Sequence, residues 1–272
     1  MATNRGKWDE SVRHHVTAPL YDVEGFLRGR SSLEAIEPGE MGPVRGRSLV
    51  HLQCHIGLDT LSWARRGAVV TGVDFSLPAV RVARRLARRA GLTARFVRSN
   101  VYDVPRTVRE TFDIVYTGKG AICWLPDIDG WAKVVAGLLS PGGRLYVLDD
   151  HPFVEVFPNE AGTRALNVRL PYFREGAVRE VYDGTYATSA KMRHRVTYSW
   201  VHRVGRVLGA LADAGLIVRS VREYPFTYWR RFPFMHRDRS GAWRLDRDEG
   251  IVPLMWSVTA VRPPPAAAES PR

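Results

Sequence analysis

One stretch decides what this chain can fold into: residues 48–76, SLVHLQCHIGLDTLSWARRGAVVTGVDFS. Residues 48–53 are a short apolar run of strand length, and residues 58–66 carry helical spacing with Leu58 and Leu61 on one side. Residues 69–73 are β-branched and bounded by Gly67 and Asp74, as a buried parallel strand requires. Two parallel strands joined by a helix form a right-handed crossover, and such sheets bind ligands beyond the carboxyl ends of their strands. Gln53 to Gly57 and Asp74 fall at that edge. A carboxylate there accepts hydrogen bonds from both hydroxyls of a ribose, which points to a nucleoside-type cofactor.

The alternation continues. Pro78 suits the first turn of a helix that runs to about Ala90 and stops at Gly91. Residues 94–99, 112–117 and 144–148 read as strands three to five, and residues 129–139 as an amphipathic helix before the Pro141-Gly142-Gly143 turn. The expected fold class is α/β, a Rossmann-like doubly wound sheet of seven strands with helices on both faces. Residues 1–46 lack strand alternation and form an N-terminal helical cap, read either as a structural cover or as a flap over the cofactor. Residues 47–262 form the main domain, with a substrate-covering insertion at 154–203 after strand five. Residues 204–214 are a helix and residues 217–224 and 255–261 the last two strands, with an aromatic, arginine-rich excursion between them. Residues 263–272, rich in proline and alanine, form a tail expected to be disordered.

Taken together, residues 47–261 resemble the class I S-adenosylmethionine-dependent methyltransferases, in their small-molecule branch. Asp74 at the end of strand two matches the family acid that holds the ribose. Ser99-Asn100-Val101 followed by Pro105 resembles the stretch flanking the adenine. The turn at Leu138 to Gly143 and the Ala210-Leu211 to Gly215-Leu216 helix end are also similar to the family's. The resemblance implies S-adenosyl-L-methionine as cofactor. It would be held by Gln53, Cys54, His55 and Gly57 of the first loop, by Asp74 and Phe75, by Asn100 and Val101, and by Thr117.

The chain departs from the family at that loop. The family reads acid-x-Gly-x-Gly-x-Gly, and this sequence has His51-Leu52-Gln53-Cys54-His55-Ile56-Gly57. Glycines serve there because the backbone turns sharply and approaches the ligand closely. Gln53 and His55 either donate hydrogen bonds to the cofactor or fill its pocket; both readings stand. A nicotinamide enzyme is excluded for want of G-x-G-x-x-G, and a P-loop for want of Gly-Lys-Ser/Thr.

Methyl transfer asks the protein to align the reacting atoms and to remove a proton. Histidine is the natural base near neutral pH, and His151 and His202 are the expected catalytic residues. Trp124, Tyr186, Trp200, Tyr21 and His194 are expected to line an acceptor pocket suited to a small aromatic or heterocyclic molecule, methylated on nitrogen or oxygen in specialised metabolism. Asp149-Asp150-His151 lacks the second acid–amide pair of a metal-dependent relative, so no metal is expected.

A net charge of +12 raises the alternative of an RNA or DNA methyltransferase. Yet lysine occurs only at 7, 119, 133 and 191, and the arginines of residues 81–89 stand at helical spacing opposite Val82 and Leu86, as on a solvated face. Residues 117–120, Thr-Gly-Lys-Gly, lack the Asn/Asp-Pro-Pro motif of nucleic-acid amino methylators, and a small-molecule partner is expected instead. A non-methylating cofactor binder is the other alternative. The apolar runs are too short to span a membrane, the first fifteen residues lack a signal-peptide core, and two cysteines give no disulfide framework. A cytoplasmic monomer or homodimer is the expectation.

Overall fold

The computed structural model describes residues 2–158, 163–247 and 249–265. In chain order the elements are α1 (Ala2–His15), α2 (Val23–Leu27), α3 (Glu37–Met41), β1 (Ser48–Leu52), α4 (Leu58–Arg65), β2 (Val69–Asp74), α5 (Leu77–Arg89), β3 (Arg95–Arg98), α6 (Val104–Thr107), β4 (Phe112–Gly118), α7 (Ile128–Leu138), β5 (Leu139–Asp150), β6 (Val178–Val181), β7 (Val196–Ser199), α8 (Val204–Asp213), β8 (Ile217–Tyr224), β9 (Met235–Arg237), β10 (Trp243–Leu245) and β11 (Met255–Val261).

Seven strands form one sheet in the order β3-β2-β1-β4-β5-β11-β8. β1 pairs in parallel with β2 and β4, so the crossovers start on both sides of the central strand. β11 alone runs antiparallel, wedged between β5 and β8. The order reverses at β1 and β4, and that switch point places the β1 and β4 loops side by side at the carboxyl edge. β1, β4 and β5 are covered on both faces, which is why their sequences are continuous apolar runs rather than alternating ones.

Local chemistry sets the helix limits. Ser76 caps α5 by accepting from the Ala79 N–H, with Pro78 in the first turn. Ala79, Val80, Ala83 and Leu86 of α5 face inward, while Arg81, Arg85 and Arg88 are exposed, so the arginine run is a solvent-facing ridge. Asp127 caps α7 in the same way through Gly130 N–H.

The N-terminal cap does two things. α3 pins one face of the sheet: Glu37, fully buried, accepts from Tyr116 Oη at 2.5 Å and pairs with Lys119 at 3.1 Å. Glu40 accepts from Tyr146 and Tyr224, so one short helix ties β4, β5 and β8 together. α1, by contrast, lies over the carboxyl edge.

The insertion has structure that periodicity did not show, a β6–β7 hairpin. The later excursion folds back as a second hairpin, β9–β10. Phe153, Phe157, Tyr172, Phe232 and Trp243 pack together in a satellite core beneath these segments. Residues 159–162 of the insertion and 266–272 of the tail lie outside the described residues.

Candidate active site

The site begins with the backbone between β1 and α4. Gln53, His55 and Gly57 have φ of 57°, 48° and 79°, all in the left-handed region. These are the three positions at which the resembled family carries glycine. The path of a glycine loop is therefore kept with two side chains that disfavour it, at roughly 1–2 kcal/mol each.

Two contacts hold the path in place. The Asp74 carboxylate accepts from His55 N–H and from Ser76 N–H, both at 2.8 Å. Gln53 Nε2 donates to Ala121 O at 2.9 Å and joins the β1 loop to the β4 loop. Gly57 has no room for a side chain, since a Cβ there would sit 2.7 Å from the Phe96 ring.

Around this loop lies a cleft lined by Asn4, Trp8, Gln53, Val73, Asp74, Phe75, Ser99, Asn100, Val101, Trp124 and Leu125. Asp74, Phe75, Asn100 and Val101 meet there as the sequence led one to expect. Asn100 Oδ1 accepts from Tyr102 N–H at 3.3 Å and sets the turn after β3. Burial raises Asp74 to about 6, partly offset by its backbone donors. Gln53 Oε1 is buried and has no partner.

Two expected cofactor residues face elsewhere. The Cys54 thiol turns into the core toward β2, where a Cβ on Gly72 would lie 2.9 Å from its sulfur. Thr117 is fully buried and donates to Leu52 O at 3.2 Å, because β4 pairs with β1 there.

α1 covers the cleft. Trp8 meets the His55 and Trp124 rings edge-on at centroid distances of 5.3 and 5.4 Å. His15 Nδ1 lies 2.9 Å from His55 Nε2 and its ring stacks on Tyr21 at 4.9 Å. Tyr21 and Tyr186 share a hydroxyl–hydroxyl bond. Thus Tyr21, Trp124 and Tyr186, far apart in sequence, come together with Trp8, His15 and His55. The helix is held by side chains that bond the insertion's main chain. Asn4 bonds both Tyr198 O and N, at 2.7 and 2.8 Å. Lys7 donates to Gly184 O at 2.6 Å, and Glu10 accepts from Arg193 and His194 N–H groups.

The two histidines expected as bases are structural instead. His151 Nδ1 accepts from Phe153 N–H at 3.1 Å, capping the turn after β5, and its Nε2 lies 2.9 Å from Glu223 on β8. Asp149 does not orient this ring; it holds the β4 loop through Gly120 and Ile122 N–H groups. His202 bonds Leu125 O at 2.7 Å through Nε2. Neither lines the cleft, and neither packs against the cleft-lining Trp8 or the loop residue His55. His194 is exposed and bound to Glu10, fixing α1 from outside. Trp200 anchors the insertion through its N–H to Cys123 O at 2.8 Å, and its ring joins no aromatic contact among the described residues. Asn4 is a functional candidate that sequence reasoning passed over, while Trp8 and His15 stood out there only as aromatic and ionisable residues of the cap, with no role assigned. Their signal, a face of polar and aromatic residues on a helix of low amphipathicity, has meaning only once α1 is seen lying across the cleft.

Residues 50–145 match the family model described as a methyltransferase domain. Those residues carry a methyltransferase domain, on a fold shared with S-adenosylmethionine-dependent methyltransferases. The chain is 26% identical over 135 residues to the ubiquinone biosynthesis O-methyltransferase of Salmonella arizonae, an alignment that covers 48% of this chain and 55% of that protein. The methyltransferase fold is shared with a solved S-adenosylmethionine-dependent methyltransferase from Mesorhizobium loti, with TM-score 0.58 at 20% identity, covering 87% of this chain and all (100%) of that one. A second, from Clostridium acetobutylicum, has TM-score 0.58 at 12% identity and covers 97% and 100% of the two chains.

The donor set of this methyltransferase domain fits S-adenosylmethionine. Asp74 stands at the strand end, Asn100 and Phe75 flank it, and the unpartnered Gln53 oxygen faces the cleft. The start of α4 at Gly57 adds free N–H groups and a positive dipole end. Space is the constraint. With α1 down the cleft keeps a free volume of about 30 Å³, against roughly 300–1,000 Å³ for ligand pockets. Among the described residues no group of His, Cys, Asp or Glu is placed to hold a metal, and no helix is long and apolar enough to cross a membrane.

Proposed function

We propose that this chain transfers a methyl group from S-adenosylmethionine to an oxygen or nitrogen of a small aromatic or heterocyclic acceptor. The supporting observation is the wall of Trp8, Tyr21, Trp124 and Tyr186 packed around the β1–α4 loop that Asp74 clamps. Flat apolar walls suit a ring, and their contact with the cofactor loop sets that ring beside the methyl donor. Oxygen is the favoured target, because the Salmonella relative is an O-methyltransferase by name. A role in specialised metabolism and a cytoplasmic location belong to the same proposal.

When bound, the cofactor supplies a methyl group on a positively charged sulfur. The chain's own residues do the rest. Asp74 and Asn100 hold the nucleoside, Gln53 meets the polar end, and the α1 aromatics exclude water. Calorimetry with S-adenosylhomocysteine tests the cofactor half, and a gain of one methyl mass across a panel of phenols and N-heterocycles tests the acceptor half. Absence of heat with that ligand and with S-adenosylmethionine would falsify the reading.

The fullness of the cleft favours one competing account, a cofactor binder that transfers nothing. Binding of S-adenosylhomocysteine with no methylated product from any panel member selects it. A nucleic-acid acceptor draws only on the net charge.

A further inference from the structure

His15 ends α1 and is fully buried, 0% exposed. Tyr21 stacks on it, Trp8 meets it edge-on at 6.0 Å, and Tyr186 tilts over it at 5.0 Å. Its Nδ1 faces His55 Nε2 at 2.9 Å, and its Nε2 has no hydrogen-bond partner. No carboxylate pairs with the ring among the described residues, and the nearby charged or titratable groups are His14, Lys7, His55 and the Tyr21 and Tyr186 phenols.

Burial lowers His15 to about 4 and His55 to about 3, so both rings are neutral at pH 7. One proton lies between them, and there are two ways to place it. If His55 Nε2 carries it, His15 must bear its own proton on Nε2, leaving a buried donor unmatched. An unmatched buried donor costs about 1–3 kcal/mol and is rarer in folded proteins than an unmatched acceptor. If His15 Nδ1 carries it and donates to His55, Nε2 is left as a bare lone pair inside a ring-shaped aromatic enclosure. The second arrangement is the better one.

We propose that His15 is the general base for the acceptor, its Nε2 taking the proton of a phenolic or enolic hydroxyl, while His55 is the positioning residue that fixes the tautomer. The inference deepens the methyltransferase reading above and rests on it. As the acceptor's O–H bond breaks, the proton and Nε2 form an N–H bond. The oxygen's lone pair forms the new bond to the methyl carbon, and the pair of the broken carbon–sulfur bond stays on sulfur. The positive charge lost at sulfur is matched by that gained on the imidazole, which then yields its proton to solvent when the lid opens.

Long-range proton–nitrogen NMR of the imidazoles in the full chain at pH 7, free and with S-adenosylhomocysteine, reads the tautomer directly, with His15→Asn assigning the signals. The expected result is an unprotonated Nε2 and a protonated Nδ1 at residue 15; a protonated Nε2 overturns the proposal. His15→Asn keeps an amide donor where Nδ1 stood and lacks Nε2. With whichever phenol the panel methylates, it should leave S-adenosylhomocysteine affinity within threefold and lower kcat by about 10²–10⁴. A kcat within tenfold of the parent's also overturns the base role. Failure to bind S-adenosylhomocysteine at all strikes the methyltransferase reading instead, and the free-protein tautomer is still read.

Discussion

Gln53 and His55 carry bulky side chains on a backbone that favours glycine, and each contributes strain that the Asp74 clamp and the Ala121 bond offset. A β-branched residue tolerates that conformation least. Gln53→Val should lower stability by about 1–3 kcal/mol, whereas Gln53→Gly should stay within about 1 kcal/mol of the parent, since lost strain and added chain entropy oppose each other. Urea denaturation of the two variants measures the contrast; equal losses would show that the loop is not strained. Asp74→Ala removes two charge-assisted backbone clamps as well as the nucleoside's acceptor. It should raise the S-adenosylhomocysteine dissociation constant at least about tenfold and cost about 1.5–3 kcal/mol of stability. Normal affinity by calorimetry removes Asp74 from the site. At this scale the sequence was readable where chemistry repeats a known pattern, as at Asp74 and Asn100. It was unreadable where a side chain's direction depends on packing, since nothing local tells that Cys54 and Thr117 turn inward or that His151 spends its lone pair on Phe153.

Among the elements, α1 is the one whose position decides access. Its grip rests on Asn4, Lys7 and Glu10 rather than on an apolar face, which is why its sequence shows little amphipathic pattern. Asn4→Ala deletes both bonds to Tyr198, and the lid should open more often. Amide hydrogen exchange across α1 should rise several-fold, and stopped-flow association of S-adenosylhomocysteine should quicken. Unchanged exchange in α1 sinks this account of the lid. Strand and helix limits of β8 and β11 were legible to the residue, because alternating turns and apolar runs bound them. The β6–β7 and β9–β10 hairpins were not, because short edge pairs of mixed polarity are fixed by what they lie against.

Buried ionisable groups couple the whole molecule to pH. Asp74, Glu34 and Asp150 titrate at about 6, 7 and 8 in the fold, against 3.8, 4.5 and 3.8 ordinarily, chiefly through burial. In these windows the native state binds more protons than the unfolded chain, so stability falls as pH rises. His15, His51 and His55 titrate at about 4, 4 and 3 instead of 6.5, and between those values the unfolded chain binds more, so stability rises with pH. The two trends oppose each other up to about pH 7.5, where the unfolded histidines have lost most of their protons, and above it the carboxyls dominate. The urea midpoint should therefore decline from about pH 7.5 to about pH 8.5, at up to about 1.4 kcal/mol per pH unit for each titrating carboxyl. A midpoint that climbs across that range contradicts the assignment. The architecture at large was the most legible level of all, since the alternation of strand and helix from β1 to β5 already marks a doubly wound sheet, while the strand order needed the structure.

Asn4 and Lys7 address peptide groups, not residue identities, in the segment they grip, and Glu10 adds the His194 ring to two peptide N–H groups. Peptide groups are the same whatever amino acids supply them, proline with its missing N–H excepted. The gripped hairpin is thus free to diverge in composition, and with it the choice of molecule admitted, while the latch goes on engaging unaltered. An engineer seeking new acceptors can vary residues 178–199 apart from Gly184, Tyr186 and His194 and keep the bonds from α1.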